Sequence, residues 1–221
     1  MNDGTITNWQ NSALPEWYNK NMKNSADLYE YAKLFAFNKE DSLLDLGCGD
    51  ATLLKIAAPL CGKVCGVDIS DEQLARAKAA LADFPNAELV RATLQEIDFP
   101  AESFTKVSMR KAIHHLTNHE KSIMIDKVFK WLKPGGLFIV EDMITSFEFR
   151  LKDEFRPLIE AEAAEYYGER WESFKDAFFT TMYAELPCDL SKMINRLLHG
   201  RFHIKRVNTI TCFMCTIISQ K

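Results

Sequence analysis

The residues best suited to chemistry are two carboxylates on either side of a glycine-rich turn, in the stretch LDLGCGD at positions 44–50. Asp45 ends an apolar run, and Asp50 stands where an apolar helix begins. Gly47 and Gly49 lack a Cβ and tolerate positive φ, so the backbone here can come close to a bound molecule. Two negative charges beside such a turn suit a ligand that carries an ammonium or sulfonium group.

The same turn argues against a dinucleotide. The pattern G-x-G-x-x-G would require glycine where Thr52 stands, and it would place a pyrophosphate at the helix N-terminus, where Asp50 would repel it. S-adenosylmethionine (SAM) carries both an ammonium and a sulfonium group. A further carboxylate, Asp68, ends a short strand-like run about 20 positions later, where nucleoside-binding α/β folds place a ribose hydroxyl acceptor.

Four motifs in this order resemble the class I SAM-dependent methyltransferases. They are DLGCGD at 45–50, VDIS at 67–70, AIHHL at 112–116 and LKPGGLFIVED at 132–142, and the resemblance covers residues 42–146. It implies SAM as the cofactor and methyl transfer to a small-molecule acceptor at O, N, S or C. Two alternatives stay open: a tRNA or other nucleic-acid methyltransferase, and a non-catalytic SAM-binding regulatory protein.

The resemblance also implies roles for single residues. It places Asp45, Gly47 and Gly49 along the methionine part of SAM, Asp68 at the ribose hydroxyls and Ile69 against the adenine. Relatives often carry an acidic residue near the adenine amino group, where this chain has Thr93. Arg110 is a candidate for the SAM carboxylate, although Arg110 and Lys111 equally suit an anionic acceptor or solvent. The predicted cofactor residues are Asp45, Gly47, Cys48, Gly49, Asp50, Asp68, Ile69, Thr93, Leu94 and Arg110.

Two adjacent histidines, His114 and His115, follow the fourth predicted strand and are expected to face the methyl group of SAM. Methyl transfer is an in-line displacement, so the protein mainly aligns the reactants and excludes water. A base is needed only for a protonated acceptor, and histidine suits that task near neutral pH. His115 and His114 are therefore the candidate catalytic residues, with loop packing as the alternative for either.

Alternating strand and helix patterns predict an α/β fold, a doubly wound Rossmann-like sheet. It is mostly parallel, with an antiparallel C-terminal strand. Helices are expected over 16–37, 51–60, 72–84 (capped by Ser70 or Asp71) and 119–132, and strands over 64–67, 88–92, 104–109, 137–142, 201–207 and 210–219. The expected parts of the single domain 1–221 are an N-terminal lid (1–38), a SAM-binding core (42–144), a helical insertion (145–198) and C-terminal strands (199–221). In the lid, Trp17 and Tyr18 are expected to cover SAM or to pack on the core. The insertion is expected to contain two long amphipathic helices and to cap the substrate or extend the core.

Composition limits the remaining possibilities. The chain has 221 residues, 47% of them hydrophobic, and a net charge of −4, which argues against a protein built mainly to hold nucleic acid. Without a long apolar run or a signal-peptide pattern, the sequence predicts a cytoplasmic protein with no membrane partner. The six cysteines are expected as buried thiols, and no metal site is predicted. A basic tract is interpreted as a solvated face, with RNA binding as the alternative; it comprises Arg196, His199, Arg201, His203, Lys205 and Arg206.

Overall fold

The first strand, β1 (Ser42–Leu46), is apolar on both faces because both faces are covered. Leu44 and Leu46 pack in one apolar cluster and Leu43 packs in another, on the opposite side of the sheet. Such double burial is typical of strands in the middle of a parallel sheet. It explains why Leu43, Leu44 and Leu46 are all apolar, although successive side chains of a strand point to opposite faces.

The computed structural model describes residues 25–221. Its helices are α1 (Ser25–Lys33), α2 (Thr52–Ala57), α3 (Asp71–Ala80), α4 (Asn118–Trp131), α5 (Arg156–Tyr167), α6 (Trp171–Ala184) and α7 (Leu190–His199). Its further strands are β2 (Lys63–Asp68), β3 (Ala87–Arg91), β4 (Phe104–Arg110), β5 (Leu132–Asp142), β6 (Ile144–Thr145), β7 (Cys188–Asp189), β8 (His203–Thr211) and β9 (Met214–Gln220). A short 3₁₀ turn, Ile113–His115, follows β4.

Seven strands form one sheet in the order β3-β2-β1-β4-β5-β9-β8. The first five are parallel, whereas β9 runs antiparallel between β5 and β8. The predicted fold class is thereby confirmed, including the antiparallel strand at the C-terminal end. The strand order reverses direction between β1 and β4, and ligands of such sheets bind outside the carboxyl ends of the strands at this point.

Local signals account for two helix starts. Ser70 caps α3 by accepting a hydrogen bond from the Gln73 amide at 3.3 Å, which decides between the two predicted caps. Thr117 and Glu120 form a capping box at the start of α4, the arrangement in which each side chain accepts the other residue's backbone N–H. These caps position the turns that lead out of β2 and β4.

Several predicted boundaries were wrong. The helix expected over 16–37 ends in the structure at Lys33; its beginning, with Trp17 and Tyr18, lies outside the described residues. The insertion contains a third helix, α7, which has Met193 and Leu197 buried on one face. Because α7 extends to His199, the first strand of the C-terminal hairpin starts at His203 and not at 201.

The insertion between β5 and β8 has an apolar cluster of its own. Trp171, Phe174, Phe178 and Phe179 of α6 pack with α5 and with the β8–β9 turn at Phe213. A two-stranded parallel sheet, β6 with β7, closes the base of the insertion. The described part of the chain contains no helix long and apolar enough to cross a membrane. The six cysteines are buried and form no disulfide, as expected.

Candidate functional site

A cleft of about 840 Å³, including its open mouth, lies at the carboxyl ends of β1, β2 and β4. A second hollow adjoins it and shares Gly47, Gly49, Gln73 and Arg110 with the cleft. Seven of the predicted cofactor residues line the cleft: Gly47, Gly49, Asp68, Ile69, Thr93, Leu94 and Arg110. Asp45, Cys48 and Asp50 line the adjoining hollow. The structure thus brings all the predicted cofactor residues together at one edge of the sheet.

The glycine-rich turn has a backbone that suits glycine. Gly47 and Gly49 have φ values of +75° and +53°, and Ala51 also lies in the left-handed region. A Cβ on Gly47 would stand 2.7 Å from the Cβ of Ala112, in the turn after β4, whereas a Cβ on Gly49 would meet nothing closer than 3.9 Å. Gly47 is therefore required for the close approach of two loops, and Gly49 only for its backbone conformation.

Asp68 ties the glycine-rich turn to the end of β2. One of its carboxylate oxygens accepts a hydrogen bond from the Gly49 amide and the other accepts one from the Ser70 amide, each at 2.9 Å. Burial raises the pKa of Asp68, although these backbone bonds lower it in part. Each carboxylate oxygen can accept a second hydrogen bond, so Asp68 can hold the turn and still receive ligand hydroxyls.

Asp45 and Asp50 have different surroundings. Asp45 is only 4% exposed, and burial raises its pKa to about 7, against the lowering effects of Ser108 and Arg110. A cationic group beside Asp45 would favour its ionised form. Asp50 accepts a hydrogen bond from the Thr52 hydroxyl at 2.7 Å and lies at the start of α2.

Arg110 stands where the cleft and the adjoining hollow meet, and it is held from two sides. Its Nε donates to Glu141 at 2.7 Å, and its guanidinium lies over the ring of Tyr31, 5.6 Å from the centroid. The side chain is 12% exposed, so the solvated alternative for Arg110 is wrong. Its neighbour Lys111 lines the cleft, and burial, together with Arg110, lowers the pKa of Lys111 to about 8.

The two predicted catalytic histidines occupy different places. His115 lines the cleft, and burial and the neighbouring His114 lower its pKa, against the raising effect of Glu185. His114 is 7% exposed and is not among the residues that line the cleft; its Nδ1 is hydrogen-bonded to Asp142. His114 thus contacts Asp142 and does not face the cleft, whereas His115 is the histidine that a ligand in the cleft can contact.

Asp142, at the end of β5, holds the turn that follows β4. It is fully buried and accepts hydrogen bonds from the amides of Ala112 and Ile113, each at 2.8 Å. Burial by itself would raise the pKa of Asp142, but the charge and hydrogen bond of His114 lower it to about 2. The sequence contained a signal for this residue, because Asp142, like Asp45 and Asp68, is an acidic residue at the end of an apolar strand.

The insertion contacts the turn after β4, part of which lines the cleft. Glu185, just after α6, accepts a hydrogen bond from His115 Nδ1 at 3.0 Å. The Leu186 amide donates to the His114 carbonyl at 3.1 Å, and the buried Lys121 ammonium donates to the carbonyls of Leu116 and Leu186. Sequence reasoning missed Glu185, because no local pattern marks a residue that acts through a contact 70 positions away.

The basic tract near the C-terminus takes no part in this site. None of its six residues lines the cleft or the adjoining hollow. His203, Lys205 and Arg206 lie exposed on β8, the edge strand of the sheet. Arg196 donates to Asn118 and Cys188, and the guanidinium of Arg201 lies over the Phe129 ring.

Comparisons with known proteins agree with this geometry. A family model described as a methyltransferase domain matches residues 43–136. The chain is 34% identical over 117 residues to demethylmenaquinone methyltransferase of Symbiobacterium thermophilum, a match that covers 50% of this chain and 45% of the relative. The chain spans about half the length of the curated relatives it matches.

Solved structures with low sequence identity share the fold. A SAM-dependent methyltransferase from Mesorhizobium loti superposes with a TM-score of 0.65 at 17% identity, over 89% of this chain and 99% of the other. A complex of the Haloferax volcanii Trm112 methyltransferase activator with a methyltransferase matches with a TM-score of 0.69 at 13% identity, over 100% of this chain and 98% of the other.

Proposed function

Since this chain belongs to the class I SAM-dependent methyltransferase family, we propose that it transfers the methyl group of SAM to a small-molecule acceptor. The observation that carries the proposal is the cleft lined by the glycine-rich turn and Asp68. The residues present fit SAM, because Gly47 and Gly49 line both the cleft and the adjoining hollow, and Asp45 and Asp68 offer carboxylates to its cationic and hydroxyl groups.

SAM supplies the methyl group and a sulfonium leaving group when it is bound. For the chain we propose that Asp68 accepts the ribose hydroxyls, that Ile69, Thr93 and Leu94 border the adenine, and that Asp45 faces the ammonium group. We also propose that Arg110, held by Glu141, binds a carboxylate of SAM or of the acceptor. Burial of these charged side chains strengthens each contact relative to the same contact in water.

One wall of the cleft is formed by Lys111, Ala112, His115 and Leu116, which follow β4. We propose that the acceptor lies against this turn, and that His115 receives or directs the proton of a protonated nucleophile. The insertion contributes Glu185, which contacts His115, so a role of residues 145–198 in acceptor choice is part of the proposal. A cytoplasmic location stays a prediction of the sequence.

Calorimetry with SAM, S-adenosylhomocysteine and NAD tests the cofactor assignment. We expect binding of SAM and S-adenosylhomocysteine, and none of NAD. Asp68→Ala removes a charged acceptor and should weaken SAM binding by about 1 to 3 kcal/mol, or roughly 5- to 150-fold. Asp71→Ala is the matched control: Asp71 lies three positions away, is 76% exposed and pairs with Arg91 on the surface, so SAM affinity should not change.

Turnover separates the enzyme from its alternatives. A methyltransferase forms S-adenosylhomocysteine from SAM when a mixture of small molecules containing its acceptor is added. A chain that binds SAM but forms no S-adenosylhomocysteine in any extract would be the non-catalytic SAM-binding protein. Binding of RNA at low salt that weakens steeply as salt rises would favour the nucleic-acid alternative.

A further inference from the structure

Three side chains with metal-ligating atoms meet at the wall of the cleft. They are His114 and His115, from the turn after β4, and Glu185, which directly follows α6 in the insertion. One nitrogen from each histidine and one oxygen of Glu185 lie within 4.8 Å of one another, and within residues 25–221 this is the one group of three or more such side chains. From this arrangement we propose that His114, His115 and Glu185 bind a divalent metal ion, which in turn binds the oxygen or sulfur nucleophile of the acceptor.

The hydrogen bonds of His114 fit a ligand. Its Nδ1 is hydrogen-bonded to Asp142, which leaves Nε2 as the ligand atom. Metal-binding histidines usually donate their other ring N–H to a carboxylate, and this contact fixes the tautomer and the ring plane. Asp142 is itself held by the Ala112 and Ile113 amides, so the orientation of His114 is set by the fold.

Glu185 is also held in place. The next residue, Leu186, donates its amide to the His114 carbonyl and accepts a hydrogen bond from the buried Lys121 ammonium, whose second acceptor is the Leu116 carbonyl. These bonds join the segment between α6 and β7 to both sides of the histidine pair. The carboxylate therefore reaches His115 on a supported backbone, as a preorganised ligand set requires.

The spacing of the atoms suits an ion. His115 Nδ1 and a Glu185 oxygen are 3.0 Å apart, and the two histidine rings have centroids 4.0 Å apart. With metal–ligand bonds of about 2.1 Å, ligand atoms of one ion are separated by about 3 to 4 Å. Small rotations of the side chains bring the present 4.8 Å spread into this range.

The donor set indicates which ions fit. Two imidazole nitrogens and one carboxylate oxygen favour Zn²⁺, Fe²⁺ or Co²⁺ over Mg²⁺ and Ca²⁺, which prefer oxygen ligands. Asp142 and Glu185 bring two carboxylates to the cluster, and a divalent ion balances their charge. Three protein ligands leave a coordination position open, and His115 lines the cleft, so an acceptor can occupy it.

A nucleophile that binds the ion must be a hydroxyl or a thiol of the acceptor. This part of the inference rests on the proposed function. A hydroxyl or thiol that binds the ion releases its proton to water. A lone pair on the same oxygen or sulfur then forms the bond to the methyl carbon while the methyl–sulfonium bond breaks, and the electron pair of that bond stays on the sulfur of S-adenosylhomocysteine. The ion then takes over the task of the His115 base proposed above, because a ring nitrogen that ligates the ion cannot also accept the proton of the acceptor.

Titration of the chelator-treated full chain with Co²⁺ tests the site without SAM or acceptor. We expect one Co²⁺ per chain, with visible absorption bands of a low-symmetry site, and displacement by Zn²⁺. Glu185→Gln and His115→Gln should each weaken Co²⁺ binding by at least about 100-fold, since even supporting residues of metal sites contribute 10- to 100-fold. His119→Gln is the matched control, because His119 is exposed on α4 and outside the cluster.

Co²⁺ binding tests the metal site, and SAM binding tests the proposed function separately. No saturable Co²⁺ binding by the wild-type chain, or equal binding by the wild type and the Glu185 and His115 variants, overturns the metal site. SAM binding measured on the metal-free chain reports on the cofactor cleft alone. Thermal unfolding of each variant shows whether it is folded, and Glu185→Gln keeps the size and hydrogen-bonding capacity of the side chain.

Discussion

The two sides of the cleft are built in different ways. On the proposed cofactor side, Gly49 and Asp68 are joined by a hydrogen bond across 19 positions of sequence, within one strand–turn–helix–strand unit. On the proposed acceptor side, His115 and Glu185 are joined across 70 positions, and Glu185 belongs to an insertion outside the region that the family model matches. The cofactor side therefore depends on local backbone geometry, whereas the acceptor side depends on how the insertion packs.

The largest effect is expected from a change inside the insertion. Phe178 is 3% exposed and packs against Trp171, Phe179 and Phe213. Phe178→Ala should lower the free energy of unfolding by about 3 to 5 kcal/mol, while the folded fraction keeps its SAM affinity, because Phe178 does not line the cleft. Chemical denaturation and calorimetry measure the two quantities separately.

Leu158→Ala is the control for this prediction. Leu158, on α5 of the same insertion, is 44% exposed, so its truncation should change the free energy of unfolding by no more than about 0.5 kcal/mol. If Phe178→Ala weakened SAM binding in proportion to its loss of stability, the two sides of the cleft would be one cooperative unit. The cofactor side would then depend on the packing of the insertion and not only on local backbone geometry.

A smaller effect is expected where the two sides touch, at the glycine-rich turn. Gly47→Ala adds a Cβ at positive φ and only 2.7 Å from the Ala112 Cβ, so strain and overlap add to about 3 kcal/mol of lost stability. Gly49→Ala has positive φ but no close neighbour and should cost about 1 kcal/mol. Urea unfolding of the two variants measures the difference; equal losses would mean that the turn after β4 moves aside without cost.

The difference between local and long-range contacts also decides which features could be predicted from the sequence. The order of strands and helices, the residues of the glycine-rich turn and the acidic strand end at Asp68 follow from local patterns, and the structure brings them together. The third helix of the insertion, α7, was missed, because its last turn contains Arg196 and His199, which were assigned to a basic solvated tract. The contact of Glu185 with His115 depends on the packing of α5 and α6, and no residue pattern near position 185 indicates it.

The smallest effect is expected from a change of pH, because it changes the ionisation of Asp45 on the proposed cofactor side. Burial raises the pKa of Asp45 to about 7, so in the ligand-free protein the folded state holds this proton more tightly than the unfolded chain does. The stabilisation from Asp45 is therefore present below about pH 4 and is lost as the pH rises through about 7. A cationic ligand has the opposite preference, because it interacts favourably with the ionised carboxylate.

SAM affinity should therefore rise between about pH 6 and pH 7.5, by up to about tenfold. At a pH one unit below its pKa, a carboxyl group is about nine-tenths protonated, so only about a tenth of the protein then offers the ionised Asp45 to the cation. Asp45→Asn is the control, because the asparagine cannot ionise and the amino group of SAM titrates identically in both experiments. Calorimetry in two buffers of different ionisation enthalpy measures the proton released on binding. If the wild type and Asp45→Asn showed the same pH dependence, Asp45 would not face the cation, and the adjoining hollow would not hold the methionine part of SAM.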